Sequence, residues 1–134
     1  VNAPAGEVAA ASASDATWCV MLVDDEASIA RLWSEALRTN GFDVREYTHS
    51  SEAAAAFAEN AGAFDVVLTD YAMPQLGGQA FIDQLRKHRP EIPVIVCTGY
   101  GSTAPLSESD ANIRVISKPA RLGQIVEAVR SSLA

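Results

Sequence analysis

Four places in this 134-residue chain set a reactive side chain at the end of a strand-like run. Asp24, Asp25 and Glu26 follow WCVMLV, Asp70 follows FDVVLT, Thr98 follows PVIVC, and Lys118 follows NIRVIS. Carboxylates crowded together repel one another, and a hard divalent cation relieves that repulsion. Oxygen-only ligation suits Mg2+, which usually takes one or two carboxylates and keeps several waters. A carboxylate is also a competent nucleophile toward phosphorus. In-line phosphoryl transfer needs the charge on the transferred oxygens neutralised, which a metal and a lysine do together. A hydroxyl close by can donate to a phosphoryl oxygen after transfer. The set Asp25, Asp70, Thr98 and Lys118 is therefore what a transient aspartyl phosphate requires. Each member alone has a plainer explanation: a helix cap, a turn hydroxyl, a solvated surface charge. The ordered set is what points to chemistry.

For those side chains to meet, the elements carrying them must share one edge of a sheet. The run Trp18–Val23 is apolar throughout, as in a strand buried on both faces. Helical spacing then takes over from Ala27 to Thr39, with Ile29, Leu32, Trp33 and Leu37 as the apolar positions and Asn40-Gly41 as the stop. Phe42–Tyr47 reads as a second strand. Ser50–Asn60 reads as a helix with Ser50 as N-cap and Ala53–Phe57 as a low-bulk face. Phe64–Thr69 is a third strand ending at Asp70. Gln79–His88 is a helix facing inward through Phe81, Ile82 and Leu85. Pro93–Cys97 is a fourth strand. Residues 99–112, with Gly99, Gly101, Pro105 and several Ser and Thr, predict a loop with at most a short helix. Asn112–Ser117 is a fifth strand, and Arg121–Leu133 a final helix with Leu122, Ile125, Val126, Val129 and Leu133 on one stripe. Alternation with short connections implies a parallel sheet covered by helices on both faces. In such folds ligands bind beyond the carboxyl ends of the strands.

Composition narrows the function classes. The net charge is −7 and no basic stripe is present, which argues against a nucleic-acid partner, since that binding depends on neutralising phosphates. No apolar run approaches the roughly 20 residues of a membrane helix, so no membrane contact by this segment is expected. Residues 1–16 are rich in Ala and Ser and read as a flexible linker, leaving 17–134 as one domain. The chain does not start with Met, and it reads as a piece of a longer protein without a signal peptide. Cys19 and Cys97 sit in strand runs and are expected as buried thiols. Trp33 and Phe57 are expected in the core, and Trp18 as a cover for the bottom of the sheet. The group Arg86-Lys87-His88-Arg89 is expected as a solvated helix end, where positive charge complements the dipole. Neither His49 nor His88 has the setting of a phosphotransfer histidine.

The segments VMLVDDE (20–26), VVLTDYAMP (66–74) with its following Gly-Gly, VIVCTG (94–99) and SKP (117–119) together resemble the receiver domain of bacterial response regulators. The resemblance covers about residues 18 to 134. It implies a flavodoxin-like, doubly wound α/β fold, a (βα)5 three-layer sandwich with a parallel sheet of order 2-1-3-4-5. It implies that Asp70 is the phosphoacceptor, that Asp25 binds Mg2+ or Mn2+ directly, and that Asp24 acts beside it, usually through water. It further implies that Ala72 supplies a backbone carbonyl to the metal, that Thr98 approaches the phosphoryl group, and that Lys118 pairs with it. The implied partners are a histidine kinase or a histidine phosphotransfer domain, with a weak homodimer as a further association, and the implied location is cytoplasmic. The segment CTGYGS and the Ala/Ser-rich arm resemble receivers at the C-terminal end of hybrid sensor histidine kinases. A free-standing single-domain regulator is the alternative. Enzymatic activity is expected to be at most self-phosphorylation and autodephosphorylation, unless the segment belongs to a kinase.

Three positions depart from the family pattern. Val115 stands where an aromatic switch residue is common, Gly77 replaces a polar residue before the loop glycine, and the 99–112 segment is weakly patterned. A metal-dependent phosphatase with an aspartyl nucleophile is the competing class. Such enzymes usually carry a second acid two residues after the nucleophile, and Ala72 stands there.

Overall fold

The computed structural model describes residues 17–71, 77–99, 112–117 and 121–133. Five strands are present: β1 (Cys19–Val23), β2 (Asp43–Tyr47), β3 (Val66–Asp70), β4 (Val94–Thr98) and β5 (Ile113–Ser117). Among the described residues there are four α-helices: α1 (Ala27–Thr39), α2 (Ser50–Glu59), α3 (Gly78–His88) and α4 (Leu122–Leu133). A short 3-10 turn, Ala61–Ala63, joins α2 to β3. The strands form one parallel sheet, as the alternation predicts, in the order β2-β1-β3-β4-β5 that the resemblance implies. The 99–112 segment expected as a loop or short helix lies, apart from its ends, outside the described residues, as does the 1–16 arm.

Strands β1, β3 and β4 are buried at every position, because each carries apolar side chains on both faces. On one face Met21, Val23, Val67, Val94 and Val96 pack with Ala53, Ala54 and Phe57 of α2 and with Phe81, Ile82 and Leu85 of α3. Phe57 stacks on Phe64 with ring centroids 5.8 Å apart. On the other face Val20, Leu22, Val66, Leu68, Ile95 and Cys97 pack with Ala30, Trp33 and Leu37 of α1 and with Ile125, Val126 and Val129 of α4. Both cysteines are buried and in no disulfide.

The stop after α1 works through its backbone. Gly41 takes φ +95, its N–H donates to Arg38 O, and the Phe42 N–H reaches back to Leu37 O. These are the two bonds of a Schellman turn, with Phe42 and Leu37 in the same core cluster. The turn delivers the chain into β2 beside β1.

Several expectations are corrected. The inward stripe of α1 is Ala30, Trp33, Ser34 and Leu37, and Leu32 is 48% exposed. Ala30 and Ser34 are small enough to let α1 pack close, which a search for large apolar residues overlooks. Leu122 lies off the buried stripe of α4, which is Ile125, Val126, Ala128 and Val129. Ser50 is not the N-cap of α2: His49 holds that position with an extended backbone, and Ser50 is the buried first helical residue. Trp18 does stand at the bottom of the sheet, as expected, where it is 45% exposed and lines a shallow cavity with Asn40, Gly41, Phe42, Arg130 and Leu133. Arg89 is not merely solvated, since its guanidinium donates to the carbonyls of Ala61 (2.9 Å) and Phe64 and ties the end of α3 to the turn before β3.

Candidate functional site at the strand ends

Register places the strand ends together. Val23 lies opposite Tyr47 and Thr69, Asp70 opposite Cys97, and Thr98 opposite Ser117. The carboxyl ends of β1, β3, β4 and β5 therefore form one rim.

At the end of β1 the Asp24 N–H continues the ladder to Tyr47 O at 3.1 Å. Its carboxylate then turns the chain, because Asp24 Oδ1 accepts the Glu26 N–H at 2.9 Å, the short-range bond that aspartate favours in turns. This turn leaves Asp24 buried and Asp25 exposed just before α1. Asp70 is the last residue of β3 rather than the first of a loop, and it is 7% exposed. The Tyr71 N–H continues the ladder to Cys97 O at 2.9 Å.

One carboxylate oxygen from each of Asp24, Asp25 and Asp70 lies within 4.8 Å of the others. The cluster contains no histidine or cysteine, so its donors are all hard oxygens. That set fits Mg2+ or Mn2+ and does not resemble a zinc site. Two of the three acids are buried and the third faces solvent, so the group is held from within and open on one side. Glu26 is exposed and outside the cluster.

Thr98 ends β4 and is 2% exposed, one residue past the partner of Asp70. Ser117, its own partner, is the last residue of β5. Lys118 follows it in sequence, and both Lys118 and Ala72 lie outside the described residues. The structure thus brings together Asp24, Asp25 and Asp70 and sets Thr98 on the adjacent strand end. Val115 lies on β5 with half of its surface exposed. Gly77 is the N-cap of α3 with an ordinary φ of −63.

One residue at this rim escaped the sequence reading. Thr69 is fully buried, and its Oγ1 donates to the main-chain carbonyl of Asp70 at 2.9 Å. The signal was a single hydroxyl in the otherwise aliphatic run Val66-Val67-Leu68 before Asp70.

Comparison with known proteins agrees with this architecture. The profile of the response regulator receiver domain matches residues 20–130. The sensor kinase CckA of Brucella abortus is 32% identical over 116 residues, which cover 85% of this chain and 12% of that protein. The chain thus spans a small part of that kinase. The response regulator receiver protein CpdR of the same organism is 26% identical over 116 residues, covering 85% of this chain and 95% of its own length. Among solved structures, a response regulator receiver domain protein from Clostridium thermocellum superposes with a TM-score of 0.80 at 28% identity, over 87% of this chain and 94% of that one. Receiver domains generally bind Mg2+ at an acidic pocket and interact with histidine kinases or phosphotransfer proteins. Among the described residues no helix is long and apolar enough to cross a membrane. The profile match, the sheet order and the acidic rim agree: this chain belongs to the response regulator receiver family and is a receiver domain of two-component signalling.

Proposed function

We propose that this domain accepts a phosphoryl group from a phosphohistidine onto Asp70. The observation that carries the reading is the convergence of Asp24, Asp25 and Asp70 within 4.8 Å at the carboxyl edge of the sheet. Asp24, Asp25, Asp70 and the Ala72 carbonyl would hold Mg2+ or Mn2+. The bound ion supplies positive charge that offsets the charge of the transferred oxygens. An Asp70 carboxylate oxygen attacks phosphorus in line. The phosphorus–nitrogen bond breaks, its electron pair stays on the imidazole, and that nitrogen takes up a proton. Thr98 donates to a phosphoryl oxygen and Lys118 pairs with another. Asp24 holds the turn that aims Asp25, through the Glu26 N–H.

Residues 17–134 form the functional unit in this reading, with 1–16 as a linker. The likeness to the sensor kinase CckA supports a receiver carried by a hybrid histidine kinase, acting in the cytoplasm with a histidine kinase or phosphotransfer domain as partner. The near full-length match to CpdR supports a free-standing receiver as the second reading.

The test is incubation with Mg2+ and acetyl phosphate. An acid-stable, base-labile adduct on the native protein, lost in Asp70→Asn, is the expected result. No adduct would leave a binding module only. An adduct that survives Asp70→Asn would overturn the site, and multiple turnover of phosphomonoesters would favour the phosphatase class.

A further inference from the structure

The side chain of Thr69 stands in a place where nothing about packing asks for a hydroxyl. Its backbone partners are Val23 on β1 and Val96 on β4, both in the aliphatic cluster that faces α2 and α3. Thr69 is 0% exposed. Valine has nearly the same shape and a strong strand preference, while a buried hydroxyl is unfavourable unless it is hydrogen-bonded. The hydroxyl at this position makes a defined contact at the rim: it donates to the Asp70 carbonyl at 2.9 Å.

That carbonyl belongs to the peptide unit joining Asp70 to Tyr71. The N–H of the same unit donates to Cys97 O at 2.9 Å. Both polar atoms of this one peptide are thus held, one by a side chain of β3 and one by the backbone of β4. Fixing the plane fixes the backbone rotation at Asp70 on its carboxyl side, at the point where the strand gives way to the 71–77 connection. The Asp70 carboxylate projects from that same Cα toward Asp24 and Asp25.

We infer that Thr69 is a positioning residue for Asp70: its buried hydroxyl locks the Asp70–Tyr71 peptide and so holds the acceptor carboxylate in line for phosphoryl transfer. This rests on the phosphoacceptor reading above. Thr69 touches neither the donor nor the metal in this assignment. Its effect lies on the geometry of attack, where small misplacements of reacting atoms are costly.

The test compares Thr69→Val, which keeps the shape and removes the hydroxyl, with Thr69→Ser, which keeps the hydroxyl. The full chain is phosphorylated with acetyl phosphate at saturating Mg2+, and initial rates are read per folded molecule, with the folded fraction fixed by urea titration. Thr69→Val is expected to slow adduct formation about threefold to tenfold, the weight of one ordinary hydrogen bond, while its Mg2+ midpoint moves less than twofold. Thr69→Ser is expected to restore the rate to within about twofold. Valine at the native rate would overturn the inference and leave the phosphoacceptor reading standing. So would serine as slow as valine, which would assign the loss to packing. Absence of any adduct on the native protein would overturn both.

Discussion

Replacing Asp25 with Asn tests the electrostatics of the rim. Its carboxylate lies no more than 4.8 Å from those of Asp24 and Asp70. Two unit charges at that separation repel by about 1 kcal/mol in water and by about 3.5 kcal/mol at an effective dielectric near 20. Asp25 is exposed, so the water end of that range applies, reduced further by salt. Asn keeps the size of the side chain and removes its charge from two such pairs. The metal-free Asp25→Asn protein is therefore expected to be more stable than the native one by roughly 1–2 kcal/mol. Mg2+ should reverse the order. A ligand at a hundred times its dissociation constant stabilises the folded state by about 2.7 kcal/mol, and the variant, lacking a direct ligand, should gain far less at the same concentration. Urea denaturation followed by circular dichroism, with EDTA and then with increasing Mg2+, reads both quantities. Two stability curves that cross are expected. A variant less stable than the native protein in EDTA, or one that gains equally from Mg2+, would refute the account of the acidic rim.

Other expectations concern the frame that carries the site. Gly41→Ala should cost about 1–2 kcal/mol in urea denaturation; a Cβ there meets nothing within 4 Å among the described residues, so the loss comes from the φ of +95. Ser34 is buried in α1 and its Oγ has no hydrogen-bond partner among the described residues; Ser34→Ala should therefore raise stability by about 1 kcal/mol, and a loss would show that the hydroxyl is satisfied. Burial, with the Asp43 carboxylate second, pushes the Cys19 thiol up from 9.0 to about 11. The folded state then holds that proton more tightly than the unfolded chain, so this contribution to stability is whole below pH 9 and is lost as pH rises toward 11. Alkylation of Cys19 in the native protein near neutral pH should be correspondingly slow, and rapid labelling would contradict its burial.

The residues of the rim were legible because each ends a run that only a buried strand explains, as with Asp24 after Val20–Val23 and Asp70 after Val66–Leu68. Parallel order then brings those ends together without any need to know the packing. What periodicity misjudged depends on neighbours. Leu32 and Leu122 are large and apolar yet lie outside the buried stripes of α1 and α4, while the small Ala30 and Ser34 occupy the buried face of α1. The N-cap of α2 fell to His49 because Ser50 is drawn inside. Asp70 and Thr98 were placed just after their strands but belong to them, since Cys97 and Ser117 extend the ladder to those positions. The role of Thr69 was not readable, because a hydroxyl within an aliphatic strand shows its partner only once the backbone is placed.

The central claim is that Asp70 is the residue that carries the phosphoryl group. Borohydride reduces an acyl phosphate to the alcohol, so reduction of the protein after treatment with acetyl phosphate and Mg2+ should leave homoserine in place of the phosphorylated aspartate. Tandem mass spectrometry of the peptide spanning Val66–Tyr71 is expected to find homoserine at position 70, and only in samples that received the phosphodonor. Homoserine at Asp24 or Asp25 with Asp70 unchanged would contradict the account.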